Sequence, residues 1–148
     1  MRFLLVDRIV KLDPGVSIEA EKSLAASEEL FRDHFPGFPV VPGVLLTEMM
    51  AQTAGKCLNA QRLPRGNAML IEVRNAKFRS WVKPGQQIRL RAKIERNEDE
   101  YAVSTAQGEV EGKRVCSAEL MFAFAPLASF APDYRDDVLE SFLAGTQR

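Results

Sequence analysis

Apolar and polar positions alternate over most of this chain, broken once by a long apolar stretch of a different period. Residues 6–13 and 16–24 read as two strands around the turn signal Asp13-Pro14-Gly15. Four more period-two segments follow later, at 68–81 (AMLIEVRNAKFRSW), 86–96 (QQIRLRAKIER), 100–110 (EYAVSTAQGEV) and 114–125 (RVCSAELMFAFA). They are separated by Lys83-Pro84-Gly85, Asn97-Glu98-Asp99 and Glu111-Gly112-Lys113, short polar connections that imply antiparallel hairpins. Between the two groups, Ser27 is placed to cap a short helix over SEELF. Pro36, Pro39 and Pro42 then exclude both helix and central strand. Pro42 fits a first helical turn, and from Gly43 to about Gln61 the chain is helix-compatible, closed by Leu63-Pro64-Arg65-Gly66.

One long apolar helix beside about six antiparallel strands predicts an α+β architecture, a curled sheet wrapped around the helix to bury it. A single domain over 1–148 is expected, with its core in 2–125 and a tail, 126–148. Within the tail, 133–143 suits a short amphipathic helix and the last residues are expected to fray. A helix apolar nearly all round needs more cover than one sheet face supplies, and dimerisation would supply it.

Twenty basic and twenty acidic side chains balance. That argues against nucleic acid or an anionic membrane found by bulk electrostatics. The most apolar stretch, 38–58, is interrupted by Pro39, Pro42, Glu48, Gln52 and Lys56, so no bilayer span is expected. The start, MRFLLVDRIV, is too soon charged for a signal peptide. Cys57 and Cys116 lack metal-ligand spacing and read as reduced, packed thiols, which together point to a cytoplasmic protein.

The chemistry concentrates in DHFPGFPVVPGVLLTEMMAQ, residues 33–52, which holds the chain's one histidine. On a helix starting near Gly43, Glu48 shares a face with Gln52 and Gly55. A carboxyl set among Val44, Leu45, Leu46, Met49, Met50, Ala51 and Ala54 is expected to resist ionisation and to serve as a general acid. His34 is of the residue type suited to complement it as a base. The Gly43 N–H, with the helix dipole behind it, suits a carbonyl oxygen. Two plainer readings stand beside this one. His34 reads equally as a loop residue bonded to a backbone carbonyl, and Glu48 as a surface acid on a wet stripe with Gln52 and Lys56. One histidine without clustered acids makes no metal site.

The run His34-Phe35-Pro36-Gly37-x-Pro39-x-x-Pro42-Gly43-Val44-Leu45-x-x-Glu48-x-x-Ala51-Gln52 resembles the signature of the β-hydroxyacyl-[acyl carrier protein] dehydratases, the FabZ family. RFLLVDRIVKLDPG, NAKFRSWVKPGQQIRL and AELMFA resemble that family's flanking blocks in order, from residue 2 to about 125. The resemblance implies a hot-dog fold and a homodimer in which His34 of one subunit faces Glu48 of the other, with a trimer of dimers as a further assembly. It implies that His34 removes the proton alpha to a thioester carbonyl and that Glu48 protonates the departing β-hydroxyl. The Gly43 N–H holds the thioester oxygen, and no cofactor takes part. Phe38, Val44, Gln52, Ile71 and Val73 join Gly43 as expected substrate contacts. The substrate would be carried by an acyl carrier protein. Arg74, Lys77, Arg79 and Lys83 could form its landing surface, or simply a solvated strand face.

The chain departs from the family's pattern at Asp33, at Phe38 and over Ile71-Glu72-Val73-Arg74. Strand alternation points Glu72 outward and turns Ile71 and Val73 inward, narrowing an acyl tunnel. Two other readings share the fold: an acyl thioesterase in which Glu48 activates water, and a non-catalytic acyl-binding subunit of a synthase assembly.

Overall fold

The computed structural model describes residues 1–147, in which six strands form one antiparallel sheet against a 17-residue helix. The strands are β1 (Arg8–Asp13), β2 (Ser17–Lys22), β3 (Asn67–Phe78), β4 (Ile88–Asn97), β5 (Tyr101–Val110) and β6 (Lys113–Ala125). Their order across the sheet is β1-β2-β4-β5-β6-β3. The long helix α1 (Gly43–Asn59) packs on one face, and α2 (Leu127–Phe130) and α3 (Asp137–Leu143) follow β6.

Alternation decides which face of each strand meets the helix. On β5, Ala102, Ser104, Ala106, Gly108 and Val110 are buried and the residues between them are not. On β6 the buried set includes Cys116, Ala118, Leu120 and Phe122. The small inward side chains of β5 leave room for Leu46, Met49, Met50 and Leu58 of α1, all essentially inaccessible to solvent. Each such side chain contributes roughly 1.5–3 kcal/mol by leaving water. The curled antiparallel sheet around one long helix is what the periodicity predicts, and it is the hot-dog fold that the resemblance implies. Among the described residues no helix is long and apolar enough to cross a membrane.

Three local expectations are corrected. Ser27 caps nothing: residues 29–32 form a single 3-10 turn whose N-cap is Glu28, with no side-chain cap. Pro42 stands one position before the helix as its N-cap, not inside the first turn. The tail helix starts later, at Asp137, where the Asp136 side chain accepts the Leu139 N–H. The end of the chain is also better held than expected. Gln147 accepts the Ile9 N–H at 2.8 Å and donates to the Ile9 carbonyl at 2.6 Å. Its amide thus covers the open edge of β1 beside the irregularity between Ile9 and Lys11. Arg148 lies outside the described residues.

Gly66 makes the corner between α1 and β3. Its φ is 96°, and a Cβ there would collide with the carbonyl of Ala125, so only glycine fits.

Candidate active site

The loop before α1 is shaped residue by residue. Leu30 O accepts the His34 N–H, and Val40 N returns a hydrogen bond to His34 O at 3.0 Å. Phe35 and Phe38 exchange backbone hydrogen bonds across Pro36-Gly37, with Gly37 at φ 77°, the positive angle that a type II turn requires of its third residue. Val41 N then bonds Val82 O at 2.7 Å, fixing the loop to the chain beyond β3.

This geometry sets the chemistry of His34. Its Nδ1 lies 3.0 Å from Val40 O, and a carbonyl can only accept, so Nδ1 carries the proton. In the neutral ring Nε2 is therefore the free basic nitrogen. The ring stacks on Phe35 at 4.1 Å and is partly exposed. This is the carbonyl-bonded loop histidine of the plainer reading, and the same bond leaves Nε2 with no hydrogen-bond partner among the described residues.

Glu48 lies in the second turn of α1, partly buried and not isolated. Gln52, one turn on, donates Nε2 to Glu48 Oε1 at 3.2 Å. The same amide bonds Phe3 O at 3.1 Å and accepts Leu5 N–H at 2.9 Å. Gln52 therefore ties the N-terminal segment to the helix and positions Glu48. Pro42 O accepts the N–H groups of Leu45 and Leu46, and with no side-chain cap the N–H groups of Gly43 and Val44 have no partner among the described residues and carry the helix dipole behind them. Gly43 is the first of these residues, and a Cβ on it would lie 3.4 Å from the Phe78 ring.

Glu48, Ala51, Gln52, Gly55, Lys56 and Asn59 line one side of a groove of about 320 Å³. Phe3 and Leu4, the start of β3, Phe122 and Tyr134 to Asp136 complete it. A larger depression of about 840 Å³ lies across β1, β2, β4 and β5, at the other end of the sheet and away from His34 and Glu48.

The expected site residues are not all brought together within the chain. His34 is not on the groove, and no hydrogen bond joins it to Glu48 among the described residues. Val44 is 77% exposed at the helix start, and Phe38 is exposed with its ring edge-on to Trp81 at 5.0 Å. On β3, Glu72 pairs with Met121 and Arg74 with Glu119, residues of the outer face of β6, so Glu72 points away from the helix. It is held there by Arg74 Nε at 2.9 Å. Val73 stands opposite the buried Leu120, on the helix side. Ile71 stands where the register slips between Leu70 and Glu72, and it is 57% exposed. The bulge breaks the alternation that would have turned Ile71 inward with Val73.

Sequence reasoning missed the far end of the groove. There Lys56 Nζ meets Asp136 Oδ2 at 2.7 Å, and Asn59 donates to Asn67 Oδ1 at 2.8 Å while accepting the Ala68 N–H. Lys56 and Asn59 follow Glu48 by eight and eleven residues, a helix-face spacing that was a usable signal for them. Asp136 carried none.

A FabA-like domain family model matches residues 1–119. The 3-hydroxyacyl-[acyl-carrier-protein] dehydratase FabZ of Listeria monocytogenes is 40% identical over 126 residues, covering 84% of this chain and 88% of that protein. The protein of the same name from Chloroflexus aggregans is 41% identical over 124 residues, covering 82% and 85%. Among solved structures, the TT0310 protein of Thermus thermophilus superposes with a TM-score of 0.63 at 18% identity, over 80% of this chain and 91% of that one. The smu.793 protein of Streptococcus mutans, solved bound to acetyl CoA, does so at 0.65 and 9%, over 85% and 94%. The structural likenesses speak for the fold alone, whereas identity at this level over most of both chains speaks for descent. This chain belongs to the FabZ 3-hydroxyacyl-[acyl-carrier-protein] dehydratase family, built on a FabA-like domain.

Proposed function

We propose that this protein dehydrates β-hydroxyacyl thioesters held on an acyl carrier protein to trans-2-enoyl thioesters, with His34 as base and Glu48 as acid. The observation that carries the roles is the pair of hydrogen bonds that prepares each group: Val40 O on His34 Nδ1, and Gln52 Nε2 on Glu48. His34 Nε2 takes the α-proton, and the electron pair of that C–H bond forms the new double bond. The β-carbon–oxygen bond breaks as Glu48 gives its proton to the departing hydroxyl, which leaves as water. The Gly43 N–H stabilises the negative charge that builds on the thioester oxygen during proton removal.

The working unit in this reading is a homodimer, in which His34 of one protomer serves Glu48 of the partner subunit. Two features support it. His34 lies off the groove of its own protomer, and strand β3 ends the sheet with a free edge. That edge and its surroundings expose Met69, Ile71, Phe78, Val44 and Trp81, the last at 72%, more apolar surface than a lone chain needs. A trimer of dimers would be a further association of this unit. Lys77, Arg79 and Lys83 are exposed and suit an acidic carrier protein, while Arg74 is engaged by Glu72.

Incubation with a β-hydroxyacyl carrier-protein thioester tests the reaction. Enoyl absorbance should rise without release of free thiol, and His34→Ala or Glu48→Gln should lower the rate by about 10²–10⁴ with the fold intact. Free thiol without enoyl product would establish a thioesterase instead, and near-normal turnover in either variant would refute the assigned roles.

A further inference from the structure

The groove headed by Glu48 changes character along its length. Strand β3 runs back antiparallel to α1, with Phe78 against Gly43 and Asn67 bonded to Asn59, so positions on the two elements can be matched. At the Glu48 end stand Gln52, Phe3 and Leu4, and in the middle Leu70 with its cross-strand partner Phe122. Gly55 forms the floor there: a Cβ built on it meets nothing within 4 Å, so the space above the helix is open. At the far end the lining turns polar, with Lys56, Asn59, Asn67, Arg135 and Asp136.

The polar end is built rather than incidental. Lys56 is only 8% exposed and is held by Asp136, which also caps α3. Asn59 is fixed by Asn67 and by the Ala68 N–H. Donors remain over. One of three ammonium protons is directed at Asp136, and one Asn59 amide proton at Asn67. Lys56 and Asp136 cancel in charge, which leaves Arg135 as a net positive group. An alkyl terminus arriving here would cover these donors without bonding them, whereas an oxygen acceptor would bond them. Eight residues of helix separate Glu48 from Lys56, about 12 Å.

We infer that the groove selects acyl chains of moderate length whose far end carries an oxygen acceptor, a carboxylate above all, over plain alkyl chains of the same length. This rests on Glu48 being the reacting end, as in the proposed function. Lys56, Asn59 and Arg135 are then specificity-determining residues.

The test compares β-hydroxyacyl carrier-protein substrates of equal length ending in methyl or in carboxylate. In parallel, calorimetry measures binding of unreactive acyl-pantetheine amides with the same two ends to the full-length protein. The carboxylate series should win by at least about tenfold in kcat/KM and in affinity, since a site built to hydrogen-bond discriminates against the analogue that cannot. The pair Lys56→Met with Asp136→Asn, which keeps the cap oxygen of α3, should erase most of that preference. Should this pair fail to fold, Arg135→Ala at an exposed position should still lower it. Equal or better handling of the methyl-ended series in both measurements overturns the inference. If neither series is dehydrated, the proposed reaction fails, and the binding preference alone then decides the inference for or against.

Discussion

Gln52 donates to Glu48 at 3.2 Å while its carbonyl oxygen accepts the Leu5 N–H at 2.9 Å. One side chain therefore both positions the acid and anchors the N-terminal segment. Gln52→Leu keeps the volume and removes all three hydrogen bonds. The buried Leu5 N–H is left without its partner, which costs about 1–3 kcal/mol in urea unfolding. A positioning role further predicts a fall in kcat with KM little changed, and a loss confined to stability would leave Gln52 as a purely structural tie.

Lys56 and Asp136 are a buried ion pair whose carboxylate also caps α3. Asp136→Ala strands the Lys56 charge and removes the cap, for a loss of about 3–5 kcal/mol. Lys56→Met combined with Asp136→Asn keeps the cap and strands no charge, so its unfolding free energy should lie close to that of the native protein. Denaturant melts of the two variants, run side by side, check the difference.

The long helix and the strands were legible because apolar residues recur along them with a regular period, although β3 buries no residue fully and slips register twice. β5, whose burial alternates without a break over Tyr101–Val110, is the clearest case. The candidate stretch was legible because its residues are local: His34, Gly43, Glu48 and Gln52 fall within one loop and the first three turns of the helix that follows it. Legibility ended where partners are distant in sequence. Lys56 reads as a wet-stripe lysine until Asp136, eighty residues on, is found against it. Ile71 reads as an inward strand residue until the register slip that displaces it is seen. Ser27 reads as a cap, but the 3-10 turn begins at Glu29, so Glu28 holds the cap position and Ser27 stands one residue before it.

Glu72 faces the outer side of the sheet opposite Met121, bound to Arg74. Glu72→Gly should leave acyl chain-length preference nearly unchanged in a comparison of short and long carrier-protein substrates. A marked shift toward longer chains would place its carboxyl in the substrate path.

Burial pushes the thiols of Cys57 and Cys116 up to about 11, in spite of backbone hydrogen bonds that act the other way. Alkylation requires the thiolate, so a raised pKa means the native thiols stay protonated and inert at neutral pH. Iodoacetamide should label neither in the native protein at pH 8 and both in denaturant, with native labelling accelerating only as pH approaches the shifted value. Fast native labelling at pH 8 would show that these side chains open to solvent.

The division of the site between protomers is tested most directly by mixing two inactive proteins, His34→Ala and Glu48→Gln, under conditions that exchange subunits. Some mixed dimers then hold one intact pair, an unmutated His34 facing an unmutated Glu48 across the interface. Dehydratase activity should return in proportion to the mixed species, counted by native mass spectrometry. Confirmed exchange with no recovery of activity would contradict a shared site and place both groups, or neither, in one chain.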